Sequence, residues 1–321
     1  MRRARSFFFV CAGHLCIAAA LLPAAAWCQP PVYLAQWGAP GSGPGQFHGP
    51  SGVAVGGSGE VFVADVGNGR IQVFTNSGVY LRQWSTAAAC GVAVDGSDNV
   101  YAGYRGQVQK FTSTGTLVAQ WSASGYGEYF SGPPSVAVDG GGNVYVADNV
   151  TNRIQKFTSD GALVTQWGTA GTGNGQFGWA GPSGVAVGSG NVYAADFSNH
   201  RIQKFTSDGV YLGQWGGLGS DDGQFDLPVA VAVDGKGHVF VTEEGANSRI
   251  QEFTSSGVYV KQWGSRGTGD GQFDPPQGLA VDTSGHIFVA DWHNNRIQVF
   301  SAFGTVPTKS TSWGRIKALY R

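Results

Sequence analysis

Short runs in which every second residue is apolar recur along the chain, each five or six residues long and each ended by glycine, asparagine or aspartate. Between residues 135 and 167 they read SVAVD (135–139), NVYVAD (143–148), RIQKFT (153–158) and ALVTQW (162–167). Alternation at this period, enriched in β-branched and aromatic residues, predicts half-buried β-strands. The connectors DGGGN (139–143) and TSDG (158–161) supply residues for hairpin turns.

The group of four runs is itself repeated. Gln-Trp stands at 36–37, 83–84, 120–121, 166–167, 214–215 and 262–263. RIQ starts at Arg70, Arg153, Arg201, Arg249 and Arg296, with the degenerate QVQ at Gln107, so successive spacings are 37, 46, 48, 48 and 47. Four strands per unit and a period in the forties predict the blades of a β-propeller. The last unit has three strands, near 277–282, 286–291 and 296–301, and the stretch 305–310 that should hold its fourth reads TVPTKS. The run VYLAQW at 32–37 is a fourth strand without its first three. Joining the two ends predicts an all-β, six-bladed ring of four-stranded antiparallel blades, closed by the N-terminal strand and free of unpaired inner edges.

Composition agrees with that architecture. Glycine contributes 52 of 321 residues, which disfavours long helices and suits tight turns. Forty aromatic residues exclude a disordered chain. Residues 1–28 stand apart: Arg2, Arg3 and Arg5, an apolar run from Phe7 to Leu22, then Pro23 and small residues up to Cys28 form the layout of a secretory signal peptide. The expected location is therefore secreted or periplasmic, with no membrane insertion once the segment is cleaved. Three of the four cysteines fall within it, leaving Cys90 without an internal disulfide partner. The predicted propeller domain, residues 29–304, carries 13 basic and 21 acidic side chains, whereas the tail 305–321 has Lys309, Arg315, Lys317 and Arg321 and no acid. An acidic body argues against nucleic acid as a partner, since binding it requires phosphate neutralisation.

Taken together, the units follow GQFxxPxGVAVDxxGNVYVADxxNxRIQKFTxxG, a consensus that resembles the NHL repeat over about residues 32–304. Blades one, three, four and six fit it well. Blade five has Glu243 for the aspartate and one extra residue, and blade two is short and lacks the proline, aspartate and arginine. Features common to nearly all blades are expected to be scaffold. The carboxylates of D-x-x-N-x-R, as in Asp65/Asn68/Arg70 and Asp196/Asn199/Arg201, should accept loop N–H groups and pair with the arginine fork. The repeated Trp and Phe positions, such as Trp167 and Phe177, should pack between blades. The glycine loops GSGPGQF (41–47), GTGNGQF (171–177) and GTGDGQF (267–273) lead into strands and carry no lysine, so they are not phosphate loops. Calcium at Asp221, Asp222 or Asp270 lacks enough ligands.

Departures from the repeat are the candidates for function. In an up-and-down blade the D-x-x-N-x-R loop and the glycine loop share a face. The residue after the aspartate position varies there as Val66, Tyr104, Asn149, Phe197, Glu244 and Trp292, and His48, Tyr126, Tyr129, Trp179, His200 and His293 lie nearby. Tyr104, Phe197, Glu244, Trp292, His293, His48, His200 and Trp179 are the expected ligand-binding set, because aromatics with a few polar groups around a channel mouth suit binding. Packing of these loop tips on neighbouring loops is the competing explanation.

The resemblance also raises enzymes. The peptidyl-hydroxyglycine lyase family holds zinc with channel histidines, but the matching positions here are Ser51, Cys90, Pro134, Ser183, Val229 and Gln277. Gluconolactonase-like propellers use an acidic cage, whereas the first-strand positions here are small and apolar. The paired-cysteine zinc modules of ubiquitin-ligase relatives are missing. Extracellular sensor domains of bacterial kinases use such propellers as ligand platforms. The expectation is a monomeric, non-catalytic, exported scaffold without cofactor or metal, binding a protein, peptide or glycan through the loop face. A metal-dependent lyase-like or lactonase-like enzyme is the alternative.

Overall fold

The computed structural model describes residues 30–104, 106–123 and 135–302. The expected signal peptide, the basic tail, and the candidates Tyr126, Tyr129 and Pro134 lie outside the described residues. Six four-stranded antiparallel sheets make the ring. Blade one comprises Pro50–Val55, Val61–Asp65, Arg70–Phe74 and Tyr80–Ser85, from the channel outward. Blade two, short as it is, keeps all four strands, with its innermost at Gly91–Val94 and its outermost at Leu117–Ser122. Blade six pairs Pro276–Val281, His286–Asp291 and Arg296–Ser301 with the N-terminal Val32–Trp37. Val32 lies opposite Ser301 and Trp37 opposite Ile297, so the ring closes through strands from both ends of the chain.

The hydrophobic layers lie between blades. The second strands are buried on both faces, as in VFVAD of blade one and VYVAD of blade three, because a blade is flanked by its neighbours on each side. The tryptophan of each Gln-Trp crosses that gap: Trp167 of blade three meets its own Tyr145 edge-on, with centroids 6.4 Å apart, and Phe205 of blade four at 5.9 Å. Such aromatic pairs contribute beyond the area they bury. Its indole is covered by the last residue of the TSxG turn in the next blade. At Gly209, φ is +89° and an added Cβ would sit 2.5 Å from the Trp167 ring. The same glycine-on-indole contact recurs for Gly78 on Trp37, Gly115 on Trp84, Gly161 on Trp121 and Gly257 on Trp215. This is one reason for the glycine excess: a turn glycine answers to a tryptophan of the preceding blade as well as to its own turn.

A second, directional contact links the blades on their outer side. Arg82, Lys110, Lys204 and Lys261 each donate to a backbone carbonyl in the next blade, at Ser113, Ser159, Ser255 and Ala302, over 2.9–3.1 Å. Lys156 reaches the Asp208 carboxylate instead, at 3.1 Å. Where blade five has Glu252 in place of the lysine of blades two to four, Lys261 of the outer strand takes over. Burial pushes the Glu252 carboxyl up, against the pull of Lys261 and His238. On the face opposite the glycine loops, Asp139 closes its turn. Burial raises this carboxyl, but the Asn143 side chain and N–H, the Tyr145 hydroxyl and the Gly141 N–H together hold it below the usual range.

Gly209→Ala is expected to destabilise the protein by about 1–3 kcal/mol, through overpacking against Trp167 and a left-handed backbone. Gly213→Ala, where an added Cβ meets nothing within 4 Å, should stay within about 0.5 kcal/mol of the parent. Urea-unfolding midpoints of the two variants check the contrast.

Candidate functional site

The face formed by the glycine loops and the D-x-x-N-x-R loops is built on one buried cluster, made four times. In blade one the Asp65 carboxylate is fully buried. It receives Nε of Arg70 at 2.7 Å, Nδ2 of Asn68 at 2.9 Å and the main-chain N–H of His48 at 2.8 Å. The expected pairing of carboxylate and arginine is present, and one nitrogen makes it. Only Nε meets the acid, while the two terminal nitrogens turn to the glycine loop, donating to the carbonyls of Ser42, Gly43 and Gln46, and to Oε1 of Gln83. Gln72 holds the same loop from beside the arginine, with Oε1 accepting from Gly45 N–H and Nε2 donating to Gln46 O.

The recurring letters of the repeat thus divide the work of holding the loop. Asp, Asn, Arg and the Gln of RIQ gather it, and the Gln of Gln-Trp caps the arginine. Blade four repeats the set through Asp196, Asn199, Arg201, Gln203 and Gln214. Blade five substitutes Glu243, whose carboxylate meets Arg249 Nε at 2.7 Å. In blade six the cap comes from the N-terminal strand, where Gln36 Oε1 accepts from Arg296 at 2.7 Å.

The expected ligand set lies on this face but is spread around the ring. His48 and His293 are exposed at the junction of blades six and one. There Trp292 stacks on His293 at 4.7 Å and covers Gly49, while Asn295 Oδ1 takes the Gly49 N–H. At the junction of blades four and five, His200 Nδ1 accepts from Leu227 N–H and Glu244 N–H donates to Leu227 O. Phe197, half-buried, opens the short helical turn that His200 closes. Tyr104 ends the second strand of blade two and is half-buried. His200 and Trp292 therefore latch neighbouring blades, as the packing explanation expects. Trp179 does not: it is 86% exposed. It sits in FGWAGP (177–182), two residues longer than FHGP (47–50) in the same place of blade one.

Among the described residues the channel is narrow. Its volume is about 70 Å³, and Ser51, Cys90, Ser183, Val229 and Gln277 line it, as the sequence suggests. At Gly184 an added Cβ would stand 2.3 Å from Val229 O of the next blade, so the innermost strands touch. The channel hydroxyls bond backbone: Ser51 Oγ donates to Cys90 O at 2.6 Å, and Ser183 Oγ lies 3.0 Å from Val229 O. Among the described residues, no three His, Cys, Asp or Glu side chains are placed to share a metal ion. Two of the weighed calcium candidates have tyrosine neighbours: burial and Asp222 push the Tyr259 hydroxyl up to about 12, and burial and Asp270 raise Tyr33.

Sequence reasoning missed the departure in blade three. Its Arg153 meets Asp148 at 3.3 Å and is 24% exposed, against 7–9% for the arginines of blades one, four, five and six. Thr151 replaces the asparagine and bonds Asp148. That one-letter change was the available signal. Arg201→Met should cost about 3–5 kcal/mol, because it strands the buried Asp196 charge. Arg153→Met should cost about half as much or less, since its guanidinium is more exposed and lies farther from its acid. Urea titration of both variants measures the difference.

No curated protein matches the chain in sequence. Among solved structures the chain is similar to a protein of unknown function from Bacteroides thetaiotaomicron, at 18% identity and TM-score 0.68 over 83% of this chain and 76% of that one. It is also similar to virginiamycin B lyase from Staphylococcus aureus, at 17% identity and TM-score 0.56 over 78% and 79% of the two chains. A gluconolactonase from Xanthomonas campestris matches at 13% identity and TM-score 0.58, over 85% and 97%. At these identities the likeness is one of fold. The family model of the NHL repeat matches residues 47–74, 130–157, 180–205 and 273–300, and with four such matches on a closed ring of six blades, the chain is an NHL-repeat β-propeller.

Proposed function

We propose that the protein is an exported binding platform that takes a protein, peptide or glycan on its glycine-loop face. Trp179 carries this reading. A large aromatic side chain left almost wholly in water, on a two-residue insertion that the repeat does not require, has no packing role. Tryptophan in such a position is the residue type most often found at the energetic centre of an interface. His293 and His48 add exposed polar groups elsewhere on the same face. The narrow channel directs ligands outward, since its 70 Å³ falls well below the roughly 300–1,000 Å³ of small-molecule sites. The lyase and the gluconolactonase share the fold, and a fold alone does not transfer chemistry.

A screen of the purified full chain against a random heptapeptide phage library and a glycan array, alongside elemental analysis, tests the reading. Binders weakened at least tenfold by Trp179→Ala, and unchanged by Leu212→Ala on the outer rim, are the expected result. Stoichiometric zinc or calcium, lost on replacing His48, His200 or His293, would overturn the reading in favour of a metal-dependent enzyme.

A further inference from the structure

Blade five departs from its neighbours on the face opposite the glycine loops. Where the third strands of blades two to four have Lys110, Lys156 and Lys204, it has Glu252, whose side chain is 4% exposed. Titratable groups from three other parts of the blade converge on this carboxylate. His238, just before the second strand, places Nδ1 3.0 Å from Glu252 Oε1 and 3.6 Å from Oδ2 of the buried Asp234. Lys261, on the outer strand, places Nζ 3.4 Å from Glu252 Oε2 and donates to Ala302 O of blade six at 3.1 Å. Lys236, on the turn with Asp234, is exposed. On the equivalent turn of blade six, Asp282 and His286 engage each other at 2.7 Å. Blades two and three fill the place of His238 with Asn99 and Asn143, whose amides donate to the turn aspartate and do not titrate.

We propose that this cluster is a proton-operated latch, which ties blade six to blade five and slackens as pH rises. Two buried carboxylates, Asp234 and Glu252, face the single ammonium of Lys261. The main-chain N–H groups of Lys236 and His238 satisfy one oxygen of Asp234 but bring no countercharge. The cluster is therefore one positive charge short unless it holds an added proton, on the imidazole or on Glu252. With that proton the buried charges balance, and Lys261 is free to hold the Ala302 carbonyl. The imidazole is 24% exposed, so the proton has a route to water. Once it leaves, an uncompensated buried carboxylate competes with Ala302 O for the same ammonium. Burial pushes the Glu252 carboxyl up, against the pull of Lys261 and His238. A carboxyl raised on folding contributes stability that is present at low pH and lost as pH rises through its folded value. An imidazole that gains charge as pH falls supplies the missing cation in the same direction.

The experiment is native-state hydrogen exchange of the full chain, corrected for the intrinsic effect of pH, from about pH 5 to about pH 8, where histidine changes charge. Across that interval, opening of the blade-six strand Arg296–Ser301 is expected to rise at least about tenfold relative to Arg201–Thr206 of blade four. Glu252→Gln should abolish the relative rise. So should Glu252→Lys combined with Lys261→Thr, which gives blade five the residues that blade three has at Lys156 and Thr165. His286→Asn should leave the rise in place. An equal pH response of the two strands in the parent protein overturns the latch, and needs no variant to fold. A relative rise that survives both Glu252 variants overturns it equally. The platform reading keeps its own test, because Trp179 lies on the opposite face.

Discussion

The ring depends on a buried charge that could not be left alone. In blades one, four, five and six a carboxylate with no exposed surface sits beneath the glycine loop, and taking such an ion out of water costs several kcal/mol unless it is paired and fully hydrogen-bonded. The arginine supplies the countercharge through Nε, and its two remaining nitrogens then need acceptors of their own. The carbonyls of the glycine loop provide them. One desolvated acid therefore fixes an arginine, the arginine fixes a loop, and the loop delivers its Phe, such as Phe47 or Phe177, into the core between blades. Closure obeys the same constraint, since the arginine of the last blade is capped by Gln36 from the first strand.

Much of this was legible in the sequence, for a specific reason. A feature repeated through a six-unit ring reports on packing, and both Gln-Trp and RIQ recur at near-constant spacing. The strand pattern placed the blades, the closing strand and the inter-blade aromatics. The direction of the arginine bonds was not legible, because their acceptors are main-chain carbonyls and any residue carries one. Nor was the pairing of Trp167 with Gly209, 42 positions apart. A turn glycine looks sufficient as a turn residue until the indole of the neighbouring blade is seen against it.

The functional face was harder to read. Tyr104, Phe197 and Trp292 drew attention as variable aromatics, yet Trp292 lies over Gly49 and Phe197 is half-buried in its turn. Variation at a loop tip reports a latch as readily as a ligand contact. The informative departures were smaller: Thr151 where four blades have asparagine, and two added residues around Trp179. Each is a local edit whose consequence lies in the partner it changes. The threonine bonds Asp148, and the insertion turns the Gly181 N–H back onto Gly178 O. Both fall at the junction of blades three and four.

In blades one, four, five and six the glycine loop holds the arginine that pairs with the buried acid. Exchange of the guanidinium protons of individual arginines, followed by nitrogen-15 NMR on the full chain, tests this most directly. Strong protection is expected for the terminal nitrogens of Arg70, Arg201, Arg249 and Arg296, and rapid exchange for the exposed Arg266. Exchange of those four as rapid as that of Arg266 would contradict it.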